Sequence, residues 1–220
     1  MISRLSVILL GAGYGKRFAS LQPKQNYKIK GKTLIDYSRL FFQKYFSKAN
    51  TFIVINKNII LKKTHSNEQL CYGSSSRLKS LYKTLLFMEK TDALREFTLV
   101  HDIARPVLNI KDINNLIKSI DNKHYGYSLG YPLTNALKLV DKNKIENLDR
   151  KNLWMTFTPQ IFKTKALLPS LRRIINNKIE IDDDIEALLL NSYKCKIIKS
   201  SPANIKLTYK EDIKNIKELL

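Results

Sequence analysis

The chain has 220 residues, of which 44% are hydrophobic and 26% are charged, and its formal net charge is +20. This length and balance fit one domain with at most a short arm, and they exclude a wholly disordered chain. Two cysteines are too few for a disulfide framework or a cysteine-rich zinc site. No apolar run approaches the roughly 20 residues of a membrane helix, and Leu5–Leu10 is too short for a signal peptide. We therefore expect a cytoplasmic protein.

The surplus of basic residues suggests a comparison with nucleic-acid-binding proteins, whose cationic surfaces bind phosphates. Here the 39 lysines and arginines are spread along the chain, with no helix-turn-helix, zinc finger or aromatic RNA-binding motif. We therefore expect a basic surface that steers small anions towards a cleft, without specific nucleic-acid binding. A non-catalytic basic binding module is the alternative from a different functional class.

Apolar runs typical of strands alternate with amphipathic runs typical of helices along most of the chain. Strands are predicted, in chain order, at 5–10, 52–55, 97–100, 125–129 and 204–208. Helices are predicted after caps at Thr33 and 74–76, over 110–120, and after a C-terminal capping box of Thr208 and Glu211. The alternation predicts an α/β fold, in which a mostly parallel sheet carries helices on both faces.

Residues 135–148 interrupt this alternation. Two short apolar runs, 136–140 and 145–148, are joined by the polar turn 141–144, a pattern that predicts a projecting β-hairpin. An isolated hairpin is marginally stable, so a second subunit is its natural support. We expect a single domain of residues 1–220 with an arm at about 131–153.

Polar and glycine-rich segments follow the predicted strands, at the sheet edge where parallel sheets bind ligands. Residues 11–17 hold three of the seven glycines, and their spacing fits neither a Walker loop nor a dinucleotide fingerprint. The glycines could serve a tight turn alone. Arg17 and Lys24 favour the alternative, a loop whose amides and cations surround a triphosphate.

Further charged residues stand at the end of the strand at 97–100. A carboxylate and a guanidinium there, Asp102 and Arg105, suit a Mg²⁺-assisted phosphate site or form a structural ion pair. His101 on its own indicates a structural group.

The segments around the arm and before the last helix carry two more cations. Arg150, beside the hairpin, is a candidate anion ligand offered across an interface. Lys206 points either into a cleft or to solvent. Trp154, the only tryptophan, is expected in the core.

Taken together, these segments resemble the 2-C-methyl-D-erythritol 4-phosphate cytidylyltransferase family of the non-mevalonate isoprenoid pathway. The resemblance runs from residue 10 to about 213, and its motifs arrive in the family's order at 11–17, 23–25, 73–80, 100–106, 149–154, 158–160 and 204–206. It implies a Rossmann-like nucleotidyltransferase fold with a hairpin arm for dimerisation. It also implies CTP and a polyol phosphate as substrates, Mg²⁺ or another divalent cation as cofactor, and a homodimer with a shared active site.

The resemblance further implies roles for individual residues. The catalytic positions are Arg17, Lys24, Arg150 and Lys206. The nucleotide-binding positions are Gly11, Ala12, Gly13, Gly15, Gly73, Ser74, Arg77 and Ser80. The substrate-binding positions are Asp102, Arg105, Arg150, Thr158 and Lys206. No protein ligand of the metal is assigned.

The sequence also departs from the family pattern. Asn135 and Ala136 stand where the family has Asp-Thr, and Ser74 replaces a second glycine. The nearest alternative is therefore a ribitol 5-phosphate or other pentitol-phosphate cytidylyltransferase of the same fold. The segment 149–154 and Ala104 favour the methylerythritol enzyme.

Overall fold

The structure is a computed structural model of the 220-residue chain, and it describes residues 2–13, 15–18, 23–59, 61, 65–142 and 144–220. Tyr14 of the glycine-rich segment and Asn143 of the predicted hairpin turn lie outside the described residues. Across the described ranges, no helix is both long enough and apolar enough to pass through a membrane.

Eleven strands and six α-helices lie in the described ranges. The strands are β1 (Leu5–Leu10), β2 (Lys28–Ile29), β3 (Lys32–Thr33), β4 (Asn50–Ile55), β5 (Glu68–Tyr72), β6 (Phe97–Asp102), β7 (Gly126–Pro132), β8 (Leu137–Asp141), β9 (Lys144–Leu148), β10 (Trp154–Lys163) and β11 (Cys195–Lys199). The helices are α1 (Leu34–Tyr45), α2 (Arg77–Lys90), α3 (Ile110–Lys118), α4 (Thr164–Asn176), α5 (Asp184–Leu189) and α6 (Asp212–Leu219).

A seven-stranded sheet forms the centre, in the order β11-β7-β10-β6-β1-β4-β5. All its strands run in one direction except β10, which pairs antiparallel with both β6 and β7. The predicted mostly parallel sheet is therefore confirmed. The carboxyl ends of β1, β4, β5 and β6 lie side by side, so the segments that follow them share one edge of the sheet.

Helices cover both faces of the sheet, as predicted. Residues of α1, α3 and α6 belong to one hydrophobic core, and residues of α2, α4 and α5 belong to the other. Within β1, Val7 and Leu9 pack into the first core, whereas Ile8 and Leu10 pack into the second. Because successive side chains of a strand point to opposite faces, a strand covered on both sides is apolar throughout.

The caps of the first and last helices differ from each other. The hydroxyl of Thr33 accepts from the amide of Asp36, and the Asp36 carboxylate accepts from the Thr33 amide, both at 3.1 Å, which completes a capping box. Glu211, in contrast, makes no capping hydrogen bond, and the carboxylate of Asp212 accepts from the Thr208 amide at 2.7 Å. The predicted capping box of Thr208 and Glu211 is wrong, because the helix begins at Asp212, three residues later than that box requires, and the Asp212 carboxylate accepts from the Thr208 amide in place of Glu211.

The segment 204–208 does not form the predicted strand. It lies beside the end of β6, where the Leu207 amide donates to the Ala104 carbonyl at 2.8 Å, but it joins no sheet. This backbone hydrogen bond, together with side-chain hydrogen bonds to the Asn204 and Leu207 carbonyls, positions the segment without adding a strand to the sheet.

The predicted hairpin is present as a separate two-stranded sheet of β8 and β9. Its exposed apolar residues are Leu139, Val140, Ile145 and Leu148. Trp154, at the base of this arm, is 37% exposed, so its prediction as a core residue is wrong. The reason is that the first residues of β10 pair with β7 alone and extend past β6.

Candidate active site

The glycine-rich segment is held at the end of β1 by a buried glutamine. The Gly11 amide donates to the Val54 carbonyl of β4 at 2.7 Å. The Nε2 atom of Gln25 donates to the carbonyl oxygens of Gly11 and Gly13, both at 2.6 Å. Gly15 has a φ of +62°, in the left-handed region that glycine adopts without strain. Gln25 therefore fixes the shape of the loop, a role that sequence reasoning missed although the residue stands in the motif 23–25.

Three of the four cations predicted to be catalytic come close together beside this loop. The ammonium of Lys24 donates to the backbone carbonyl of Leu207, the residue after Lys206, at 3.1 Å. Burial lowers the pKa of Lys24, and the charges of Lys206 and Arg17 lower it further, while Asp102 acts in the opposite sense. The exposed guanidinium of Arg17 lies 5.9 Å from the ring centroid of Tyr209. The cluster is therefore strongly electropositive.

Asp102, the last residue of β6, lies between two cations. Its Oδ1 accepts from Nε of Arg77 and its Oδ2 accepts from Nζ of Lys206, both at 2.8 Å. Burial alone would raise the pKa of Asp102, but Arg77 and Lys206 outweigh it and hold the carboxyl well below its usual range. Asp102 is therefore an anion at neutral pH, and the Lys206 side chain, which is 36% exposed, points towards it.

Arg77 contacts a second carboxylate that sequence reasoning did not assign. Its Nη1 and Nη2 donate to the two oxygens of Asp184 at 2.7 and 2.9 Å. Burial opposes the charge of Arg77, but Asp102 and Asp184 outweigh it and raise the pKa of the guanidinium above its usual value. This geometry gives Arg77 a supporting position, and its contact with a nucleotide stays a prediction. The only signal for Asp184 was an acidic run, 182–184, in a basic chain.

His101 joins Arg105 to Thr158 through its two ring nitrogens. Nε2 lies 3.1 Å from the Arg105 carbonyl, and Nδ1 lies 3.4 Å from the Thr158 hydroxyl, which accepts from the Asp102 amide at 3.0 Å. Burial lowers the pKa of His101 to about 3, so the ring is neutral, in agreement with a structural role. The Arg105 guanidinium donates to the Asn204 carbonyl at 2.8 Å. The ion pair considered for Asp102 and Arg105 is therefore wrong, since Arg77 and Lys206 take its place.

The predicted nucleotide-binding residues after β5 pack closely against the glycine-rich loop. The Gly73 amide donates to the Ile55 carbonyl at 3.0 Å, and a Cβ at Gly73 would lie 2.2 Å from the Cβ of Ala12. The Ser80 hydroxyl accepts from the Ser74 amide at 2.9 Å. The structure thus brings these residues together, and the close approach of the two loops explains why residue 73 is a glycine.

Arg150 does not lie with the other three predicted catalytic cations. It lies on the arm, where Nη1 donates to the Thr134 carbonyl. Within the described ranges, no hydrogen bond or ion pair joins it to Arg17, Lys24 or Lys206. One chain therefore presents three of the four predicted cations at one place.

The protein donors in the cleft do not build a metal site by themselves. In the described part of the chain, no group of three or more His, Cys, Asp or Glu side chains could hold a metal ion. Asp102 is the hard oxygen donor at the strand ends, and both its oxygens already accept from cations. A divalent ion at this place would need most of its ligands from a bound substrate.

Known proteins resemble this chain over nearly its whole length. Residues 5–220 match the family model of 2-C-methyl-D-erythritol 4-phosphate cytidylyltransferase. The enzyme of that name from Wigglesworthia glossinidia brevipalpis is 36% identical over 96% of both chains. The one from Haemophilus ducreyi is 29% identical over 97% of this chain and 94% of its own.

A solved structure has the same fold. The crystal structure of the Francisella tularensis 2-C-methyl-D-erythritol 4-phosphate cytidylyltransferase is 28% identical and has a TM-score of 0.83, covering 98% of this chain and 99% of its own. The fold, the ordered motifs and the match of residues 5–220 agree. The chain therefore belongs to the 2-C-methyl-D-erythritol 4-phosphate cytidylyltransferase family of nucleotidyltransferases, which acts in isoprenoid biosynthesis.

Proposed function

We propose that the protein joins CTP to 2-C-methyl-D-erythritol 4-phosphate, giving 4-diphosphocytidyl-2-C-methyl-D-erythritol and pyrophosphate. The observation that carries this proposal is the cluster of Arg17, Lys24 and Lys206 beside the glycine-rich loop. Family membership supplies the identity of the two substrates. The cluster supplies the positive charge that two phosphorylated substrates need in order to approach each other.

The reaction needs no nucleophile from the protein. A phosphate oxygen of the polyol phosphate attacks the α-phosphorus of CTP, the bond to the β-phosphate breaks, and pyrophosphate leaves. Positioning and charge neutralisation dominate catalysis of such transfers. Arg17 and Lys24, beside the loop, stabilise the charge that grows on the α-phosphate and on the leaving group.

The two substrates occupy the two sides of the cleft. The nucleotide lies against the loops that hold Gly11, Ala12, Gly13, Gly15, Gly73, Ser74 and Ser80. The polyol phosphate lies towards the end of β6, where Asp102 and Arg105 flank Lys206. Asp102 accepts hydrogen bonds from cations and so keeps the Lys206 ammonium within the cleft. The Thr158 hydroxyl accepts a hydrogen bond from the Asp102 amide and so fixes the backbone at the end of β6.

A divalent cation such as Mg²⁺ would be held here chiefly by the triphosphate of CTP, where it would neutralise phosphate charge. The ion prefers oxygen ligands, which the phosphates of CTP supply. Asp102 is the candidate protein ligand, and it would have to release Arg77 or Lys206 in order to bind the metal. No step above depends on an ion that the protein holds by itself.

Arg150 and the apolar arm support a homodimer with a shared site. Within the described residues, nothing covers Val140 and Ile145 of the hairpin, which are 63% and 68% exposed. A hairpin of this kind gains stability when another surface covers it. The arm of one subunit then offers Arg150 to the cleft of the other, where it binds the phosphate of the polyol.

The test is a pyrophosphate-release assay with CTP, Mg²⁺ and either methylerythritol 4-phosphate or ribitol 5-phosphate. We expect faster turnover with methylerythritol 4-phosphate, and faster turnover with ribitol 5-phosphate would overturn the choice of substrate. Retention on nucleic acid that falls with salt, without pyrophosphate release, would instead favour the basic binding module.

The same assay tests the roles of the cations. Arg17→Ala and Lys24→Ala should each lower kcat roughly 10²- to 10³-fold, the scale for losing one preorganised charge stabiliser. Lys90→Ala, which removes an exposed lysine from the last turn of α2, is the matched control and should leave kcat unchanged. A near-normal kcat for the Arg17 or Lys24 variant would remove that residue from transition-state stabilisation.

A further inference from the structure

Four charged side chains of alternating sign form a continuous chain that runs from the start of α5 to Lys206. In order they are Asp184 at the start of α5, Arg77 at the start of α2, Asp102 at the end of β6, and Lys206. The polar contacts that join them measure 2.7 and 2.9 Å, then 2.8 Å, then 2.8 Å. We call these four residues the charge chain.

Asp184 is the member farthest from the substrates. The whole residue is 0% exposed, and both its carboxylate oxygens accept from Arg77. A carboxylate that receives two parallel N–H groups from one guanidinium fixes the plane of that guanidinium. Asp184 therefore decides where the Nε–H of Arg77 points.

Through its Nε, Arg77 holds Asp102, the last residue of β6. Nε of Arg77 donates to Oδ1 of Asp102, which leaves Oδ2 for Nζ of Lys206. A half-buried guanidinium that loses one of its two carboxylates carries uncompensated charge, and it is attracted more strongly to the carboxylate that remains. Without Asp184, Arg77 would compete with Lys206 for Asp102.

We propose that Asp184 is a positioning residue for the acceptor substrate, acting through Arg77 and Asp102 on the Lys206 ammonium. This inference rests on the proposed function, in which Lys206 binds the polyol phosphate. The charge chain ends at Lys206, and the described hydrogen bonds of Arg77, itself a predicted nucleotide-binding position, go to Asp102 and Asp184 and not to the glycine-rich loop. Its loss should therefore affect the polyol phosphate more than CTP.

The test is the substitution Asp184→Asn, with initial rates measured while each substrate is varied in turn. The amide keeps the shape of the carboxylate but removes its charge and replaces one acceptor with a donor. We expect the KM for methylerythritol 4-phosphate to rise about tenfold, the scale for losing a hydrogen bond to a charged group, while the KM for CTP changes less than about twofold. Glu180→Gln removes the same charge at an exposed position nearby, and should change neither KM.

A purely structural role for Asp184 predicts a different result. It would lower the melting temperature and change kcat or both KM values together, without separating the two substrates. Asp184→Glu keeps the charge and lengthens the side chain by one methylene, so it serves if Asp184→Asn does not fold. It should raise the KM for the polyol phosphate in the same selective way, by a smaller factor. Equal changes in both KM values, or none, in a folded variant would overturn the inference.

The outcomes also separate this inference from the proposed function. If the unmodified protein releases no pyrophosphate with methylerythritol 4-phosphate, the proposed function fails. If the unmodified protein and Glu180→Gln turn over normally but Asp184→Asn shows no selective change, only the role of Asp184 fails.

Discussion

Charged side chains in the cleft divide into those with a partner of opposite charge and those without one. Asp102 forms ion pairs with both Lys206 and Arg77, which gives those two cations fixed positions. Among the described residues, Arg17 and Lys24 form no ion pair, so their charge is available to a ligand. The unpaired cations attract and stabilise phosphate, whereas Lys206 binds it from a position that Asp102 fixes.

The pH dependence of activity should reveal the unpaired state of Lys24. Burial, Lys206 and Arg17 together lower its pKa from the ordinary value of 10.5. Only the protonated amine neutralises phosphate, so kcat/KM for CTP should fall as pH rises through the lowered pKa, before an ordinary lysine titrates. We choose kcat/KM because it reports the free enzyme, before bound phosphate raises the pKa again.

Lys24→Arg provides the comparison, because a guanidinium stays protonated throughout this range. We expect the basic limb of its kcat/KM profile to move to higher pH, whatever its absolute rate. The profile should be recorded between about pH 8 and 11, where the phosphates are almost completely ionised. An unshifted basic limb would assign the titration to another group.

Gly73 should tolerate no side chain. A Cβ at this position would lie 2.2 Å from that of Ala12 and 2.9 Å from the Ser80 hydroxyl. Gly73→Ala should therefore lower the free energy of unfolding by about 1–3 kcal/mol, as other overpacked sites do. Gly13→Ala is the matched control, because its Cβ would meet no atom within 4 Å in the described ranges. Its stability should change by less than about 0.5 kcal/mol, and urea denaturation measures both. Equal stability of the two variants would contradict the packing argument.

Elements with a strong local pattern were predictable from sequence. β1 is almost wholly apolar because it is covered on both faces, and α1 begins directly after Thr33 because Asp36 completes its capping box. β10 was not predictable as an antiparallel strand, since its direction depends on pairing with β6 and β7 and not on its own residues. Trp154 lies outside the core for the same reason. Direction and burial of such segments are set by neighbours far away in sequence.

The hairpin arm has an exposed apolar surface that we expect a second subunit to cover. Val140 and Ile145 are paired across its two strands. Ile145→Asp places a charge on this surface, so the proposed dimer should dissociate to monomers in analytical ultracentrifugation. The KM for the polyol phosphate should rise as well, because Arg150 is then withdrawn from the neighbouring cleft.

A second acidic substitution controls for the added charge. Leu40→Asp changes a 48% exposed leucine on α1, away from the arm, and should leave the dimer intact. If Ile145→Asp also remained dimeric, the arm would not be the contact between subunits.

The whole molecule assembles its site from pieces that are distant in sequence. The charge chain draws on residues 184, 77, 102 and 206, which lie in four separate segments. Sequence motifs predicted which residue types gather at the strand ends, since the carboxyl ends of parallel strands meet. They could not predict that Arg77 faces Asp184, or that Gln25 holds the glycine loop, because each contact depends on side-chain packing in the folded chain.

Mixing two inactive variants tests whether the site is shared between subunits. In a mixed dimer of Arg17→Ala and Arg150→Ala chains, one cleft carries both defects and the other carries neither, provided that each arm serves the opposite subunit. Random reassortment makes about half of the dimers mixed, so pyrophosphate release should recover to about a quarter of the unmodified rate. Each variant alone remains at its own low rate, and co-production of two differently tagged chains ensures that mixed dimers form. If purified mixed dimers show no recovery, Arg150 acts within its own chain or outside the site, and the shared cleft is excluded.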